Sequence, residues 1–110
     1  MEFQVELSHR AACDIDEIFQ FIAVDSDAPM NAVKWRRGLE EHLRRLTYLA
    51  GSLPFAEENR HAPCEVRQLL FGKFRILYTI DDDVAHVLTV RHGHRRPMSV
   101  AELNRIWKQK

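Results

Sequence analysis

Cysteine is scarce in this chain. Only Cys13 and Cys64 occur among 110 residues, and they form no C-x-x-C or other metal-binding spacing. Sequence alone leaves a disulfide open, but in a reducing cytosol two thiols are the expectation. Long apolar runs are missing too. No stretch approaches the roughly 18 residues of a membrane span, and the N-terminus shows neither the basic nor the apolar region of a signal peptide. A cytoplasmic protein with no membrane partner is expected. The chain also lacks a phosphate-binding glycine loop, a G-x-S-x-G elbow and an H-E-x-x-H pair, and neither cysteine sits in a nucleophile's motif. Nothing in the sequence calls for a cofactor.

An excess of one charge is absent as well. Sixteen bases balance 16 acids, which by itself argues against a strongly nucleic-acid-binding protein. The distribution is less even than the sum. Residues 1–33 hold seven acids (Glu2, Glu6, Asp14, Asp16, Glu17, Asp25, Asp27) against one base, Arg10. Residues 84–110 hold six bases (Arg91, Arg95, Arg96, Arg105, Lys108, Lys110) against one acid, Glu102. A chain polarised in this way can turn a basic face to phosphate while its acidic half stays in solvent. Solvated charge without a partner accounts for the same pattern.

What is present builds one domain over residues 1–110, whose 45% hydrophobic content suffices for a single core. Phe3, Val5 and Leu7 alternate with polar residues at the period of a half-buried strand. Ser8 suits a helix N-cap. From His9 the period changes: Ala11 or Ala12, Ile15, Ile18 or Phe19, and Ile22 recur at three- and four-residue steps, predicting an amphipathic helix to about Val24. Asp25 to Pro29 breaks it, and Pro29 fits the first turn of a second helix, with an apolar stripe through Ala32, Trp35, Leu39, Leu43, Leu46 and Leu49. Gly51 lies where that helix would be capped. Residues 51–63 read as a loop, with His61 as a candidate binding residue.

Three strands follow. Val66 to Phe71 turns at Gly72-Lys73 into Phe74–Ile80, and Asp81-Asp82-Asp83 turns that strand into one running from Val84 to Arg91 or His92. Phe74, Ile76, Tyr78 and Ile80 share one face of the middle strand, while Arg75, Leu77 and Thr79 share the other. Ser99 can cap a short last helix. The order β-α-α-β-β-β-α predicts an α+β fold: a small antiparallel sheet, joined by the first strand, with the N-terminal helical hairpin packed on one face.

Two places carry candidate chemistry. Arg75 sits mid-strand opposite the apolar set, where a guanidinium needs solvent or an anion. A short hairpin would bring Arg67 close to it, and two neighbouring arginines make a site for phosphate or carboxylate. A cross-strand ion pair, with an acid such as Asp81 or Glu65, is the structural alternative. The second place is Arg91-His92-Gly93-His94-Arg95-Arg96. Histidine is suited to proton transfer near neutral pH, and arginine beside it to charge developing on phosphate. The His92-x-His94 spacing can also hold a metal, but no Asp, Glu or Cys ligand accompanies it. A basic patch for an acidic partner peptide is a further alternative.

The stretch LSHRAACDIDEIFQFIA, then VRQLLFGKFRILYTID and VLTVRHGHRRP, resembles the RelE/ParE superfamily of type II toxin–antitoxin toxins over nearly the whole chain. The sharpest pieces are the Gly-x-aromatic-Arg-Ile-Leu-Tyr strand from Gly72 to Tyr78 and the His-Gly-x-Arg ending from His92 to Arg95. The resemblance implies a toxin neutralised by a cognate antitoxin, which would lay an extended or helical segment across the sheet and hairpin. For RelE-like members it implies metal-independent cleavage of messenger RNA on the ribosome through 2′-hydroxyl attack. Arg75, Arg95, His92 and Arg67 would then be catalytic, with Lys73, Arg91, His94 and Arg96 binding the nucleic acid or target. For ParE-like members it implies poisoning of DNA gyrase by binding, without a hydrolytic site. Where the RelE branch has paired lysines this chain reads Glu65-Val66-Arg67-Gln68, and its only tyrosines are Tyr48 and Tyr78. Ribosome-dependent cleavage is the expected function; gyrase poisoning, or a non-toxic binding module with the same fold, is the alternative.

Overall fold

A computed structural model describes residues 2–109; Lys110, one of the C-terminal bases, lies outside them. The elements are β1 (Gln4–Leu7), α1 (His9–Gln20), α2 (Pro29–Leu49), β2 (Arg67–Phe71), β3 (Phe74–Asp81), β4 (Val84–His92) and α3 (Val100–Gln109). Beyond Gln20 helical geometry continues, but as a wider π turn over Phe21–Asp25, and Asp27 takes a positive φ of 50° to reverse the chain. Pro29 does open α2. Gly51 lies in a short 3-10 turn, Ala50–Ser52, rather than capping α2.

The sheet order is β1-β4-β3-β2. β2, β3 and β4 form the expected antiparallel meander, each joined by a two-residue turn. Gly72 takes φ 55° in the first of these turns, which no side chain adopts easily, and Asp82 takes the same φ in the second. β1 departs from the expected antiparallel pairing: it runs parallel to β4, Gln4 opposite Val84 and Leu7 opposite Val87. Parallel neighbours need a long connection, and everything between residues 7 and 84 supplies it.

The hairpin covers one face. Ala11, Ile15, Leu39 and Leu46 pack on Leu69, Ile76, Tyr78, Val87 and Val90 in one buried cluster. Gly38 brings α2 close to the sheet, since a Cβ there would lie 2.9 Å from the Phe71 ring. Buried Tyr78 donates its hydroxyl to the Ala50 carbonyl at 2.6 Å, and burial pushes its pKa up to about 12 against a small opposing effect of Arg67.

The opposite face is closed as well. Leu77 and Leu88 are buried beneath Ala56, Val66, Met98, Leu103 and Ile106, which come from the 53–66 loop, the segment after β4 and α3. The sheet presents apolar residues on both sides, so each needs a cover. Ser99 does cap α3, accepting from the Glu102 N–H at 3.2 Å while the Glu102 carboxylate accepts from the Ser99 N–H at 3.3 Å.

One irregularity ties the hairpin to the sheet. Leu77 pairs with Thr89 but Tyr78 pairs with Val87, so Leu88 is an extra residue bulged from β4. The bulge takes the Val90 N–H off the ladder, and the Asp14 carboxylate of α1 accepts it at 3.1 Å. Asp14 also accepts the Thr89 hydroxyl and, at 3.1 Å, Arg10 Nε. Ser8 caps α1 by accepting the Ala11 N–H at 3.0 Å and donates its hydroxyl to the Leu88 carbonyl at 2.8 Å. Asp14→Ala strands these donors and should destabilise the fold by about 2–4 kcal/mol in urea unfolding. Ser8→Ala should lose about 1–2 kcal/mol. An Asp14→Ala protein as stable as the parent would show that the bulge does not need its carboxylate.

Candidate functional site

Strand register decides which cations meet. Arg75 lies opposite Leu70 on β2 and opposite Arg91 on β4. Arg67 lies opposite Tyr78, so its side chain leaves the other face of the sheet. The expected Arg67–Arg75 pair is therefore not formed; the arginine beside Arg75 is Arg91. Arg67 instead donates to the Leu53 carbonyl at 2.5 Å and stacks 4.3 Å over the Phe55 ring, fastening the loop edge.

Arg75 is not open to a ligand. Its Nη2 and Nη1 donate to the two oxygens of Glu58, at 2.5 Å and 3.1 Å, and its Nε donates to Gln68 Oε1 at 3.1 Å. Its side chain is 12% exposed and that of Glu58 is fully buried. Glu58 stands in a 3-10 turn, Glu57–Arg60, inside the loop, and also accepts the Met98 N–H at 3.0 Å. Burial raises its pKa, but the Arg75 hydrogen bonds, the Met98 and Glu58 N–H groups and the Arg75 charge outweigh that and leave it below the ordinary 4.5. The structural alternative of an ion pair is realised, with an acid that neither periodicity nor motif singles out. His61 serves the same fastening: its Nε2 donates to the Met98 carbonyl at 3.1 Å.

Arg91 is 4% exposed, yet among the described residues no carboxylate forms an ion pair with it. Its Nη2 donates to the Arg96 carbonyl at 2.5 Å, and its Nε, fully covered, has no partner. Burial and the charge of Arg95 pull its pKa down, Glu102 and Glu58 pull it back, and Arg75 lowers it again. This guanidinium is held charged without a direct counter-ion.

The end of β4 gathers the remaining candidates. The Gly93 N–H donates to the Lys73 carbonyl at 2.7 Å, placing the β2–β3 turn beside the segment after β4. His92 is half-buried with its ring edge-on to Phe74, 5.4 Å between centroids, and the exposed His94 ring stacks 4.9 Å from it. His92 Nδ1 accepts the His94 N–H at 3.1 Å, so its proton sits on Nε2. Among the described residues no three His, Cys, Asp or Glu side chains converge as metal ligands. Lys73, His94, Arg95 and Arg96 are exposed, and among the described residues no ion pair holds them. Arg95 lines three clefts. One, of about 450 Å³, lies between β4 and the head of α3 with Arg91, Arg96, Ser99 and Glu102. A second, of about 460 Å³, lies between α1 and α3, where Arg10 and Arg105 are offset by Asp14, Glu17 and Glu102. The third, of about 130 Å³, lies between α1 and β4 with Asp14, Glu17, Arg91 and His92.

Glu58 holds its proton affinity low only while folded, so its contribution to stability is present above the unfolded value near pH 4.5 and fades as pH falls through the lower folded value. Stability measured by chemical unfolding should drop across that acid range, and Glu58→Gln should flatten the drop. Glu58→Ala, which strands the Arg75 charge, should destabilise by about 3–5 kcal/mol. A Glu58→Gln profile that parallels the parent's would assign the acid transition to other carboxylates.

The model of the family described as ParE toxin of type II toxin-antitoxin system, parDE, matches residues 5–97. Among solved structures, the chromosomal ParDE toxin–antitoxin system of P. aeruginosa contains a chain similar in fold, with a TM-score of 0.66 and 18% sequence identity over 83% of this chain and 96% of that one. No curated protein sequence matches.

Proposed function

The chain belongs to the family of ParE toxins of type II toxin–antitoxin systems, and we propose that it arrests growth by binding its target, DNA gyrase, rather than by cutting RNA. One observation carries this reading: Arg75, the strand arginine that an RNA-cleaving site would need for phosphate, is tied through both terminal nitrogens to buried Glu58. Freeing it would leave the Glu58 carboxylate buried and unpaired, at a cost of about 3–5 kcal/mol. Arg67 leaves the sheet on the opposite face, so it cannot take over beside Arg75. At one end of the sheet the exposed side chains of Lys73, Arg95 and Arg96, with His94 among them, are suited to recognition.

A cognate antitoxin is part of the proposal, since the P. aeruginosa chain of similar fold comes from a ParDE system. The antitoxin would neutralise the toxin by covering the surface through which it meets gyrase. No helix among the described residues is long and apolar enough to cross a membrane.

Induced expression with separate labels for replication and translation tests the proposal, together with a supercoiling assay on purified gyrase. Replication should fail first, supercoiling should be inhibited, and messenger RNA on the ribosome should remain intact. The double variant Arg75→Met with Glu58→Gln removes the guanidinium, while the new side-chain amide can still accept the Met98 N–H, and it should remain toxic. Loss of toxicity in that folded variant, with translation failing first in the parent, would return the function to RNA cleavage.

A further inference from the structure

Arginines drawn into a folded protein are normally met by a carboxylate, and the largely covered Arg75 is. Its cross-strand neighbour Arg91 is not. Arg91 is 4% exposed, its Nε has no partner, and its hydrogen bond in the fold goes to the Arg96 carbonyl. A buried cation without a contacting anion is among the more expensive arrangements a small domain can hold. Arg91 lines the cleft of about 450 Å³ at the head of α3, where Arg95 and Arg96 form the rim with Ser99 and Glu102. Three guanidinium groups there face one carboxylate, and that carboxylate is already engaged by the Ser99 N–H and hydroxyl.

We propose that this cleft is an oxyanion site that seats a phosphodiester of duplex DNA, with Arg91 as its floor and Arg95 and Arg96 as its rim. The exposed forks of Arg95 and Arg96 match the paired oxygens of a phosphate, and the anion gives buried Arg91 a counter-charge beyond the indirect pull of Glu102 and Glu58. Its surroundings favour a polyanion over a single carboxylate. The Gly93–Lys73 hydrogen bond sets the β2–β3 turn beside the end of β4, so exposed Lys73 and His94 continue the basic surface away from the cleft. A nucleic-acid backbone offers phosphates at regular intervals along such a surface, whereas one acidic side chain meets only the cleft. The site is separate from the Arg75 position, where Glu58 already plays the anion's part. The proposal rests on the gyrase reading for the presence of DNA, because gyrase acts on duplex DNA.

The arginine Nε–H signals of the isotope-labelled full chain report on the site directly. The probes are inorganic phosphate, a short DNA duplex and an acidic peptide, each titrated at constant ionic strength. Arg91→Lys identifies the Arg91 signal. The expected result is saturable movement of the Arg91 signal with phosphate and with the duplex, the duplex acting at lower concentration, while the Arg75 signal stays in place. Arg95→Gln and Arg96→Gln change exposed side chains and should leave the fold intact, weaken duplex binding about tenfold, and lower the slope of log affinity against log salt by about 1 each. A phosphate response with no gain from the duplex would show an anion site that DNA does not use and would overturn the proposal. So would an acidic peptide that outcompetes the duplex, or arginine signals that all move together. If gyrase is inhibited while Arg91 ignores every probe, the DNA site fails and the gyrase reading survives. If Arg91 responds as expected and supercoiling is untouched, the gyrase reading fails and the site stands.

Discussion

The two hydrogen bonds between Arg75 and Glu58 hold the second layer of this molecule in place. Arg75 projects from the middle of the sheet, Glu58 comes from a loop 17 residues earlier, and the same carboxylate receives the Met98 N–H just before α3. One buried acid therefore joins strand, loop and final helix at a single point. The joint is strong in one sense only. A buried ion pair adds little over an apolar contact of the same shape, but removing one member leaves a charge stranded away from water. The loop and α3 are thus committed to their places by the penalty for leaving.

Across the sheet a second buried carboxylate does the corresponding task. Asp14 of α1 fills the gap opened by the β4 bulge, accepting the Val90 N–H that the ladder cannot use. Ser8 adds a bond to the bulged Leu88. The hairpin is located by apolar packing spread over many residues, whose energy varies slowly with small displacements. The hydrogen bonds of Asp14 and Ser8 set its position along the strand, because their geometry tolerates little shift.

These two fastenings shape what the molecule can offer to others. The arginine in mid-sheet is engaged by its acid, and exposed Arg95 and Arg96 stand where β4 ends and α3 begins. That region joins the β2–β3 turn, a stacked histidine pair, and a guanidinium buried without a counter-ion. The proposed function, recognition of a target rather than cleavage of RNA, takes its support from this distribution.

The sequence by itself determined the elements and their order. Alternation at Phe3–Leu7, the three- and four-residue spacing from Ala11, the Pro29 helix start, the Gly72-Lys73 turn and the run of three aspartates are all local signals, and each marks an element found in the structure. The strand and His-Gly-x-Arg motifs also suffice to point to the superfamily. Tertiary structure alone decided the rest: β1 lies parallel to β4, α3 covers the second face of the sheet, Arg91 rather than Arg67 stands beside Arg75, and Glu58 is the acid that meets it. Periodicity reports which face of an element is apolar, and says nothing of which distant element will cover it. A short hairpin sets Arg67 and Arg75 on neighbouring strands, but their register places them on opposite faces of the sheet. Glu58 resembles any other polar loop residue, because a carboxylate drawn inward by closure of a long loop leaves no pattern in the chain around it.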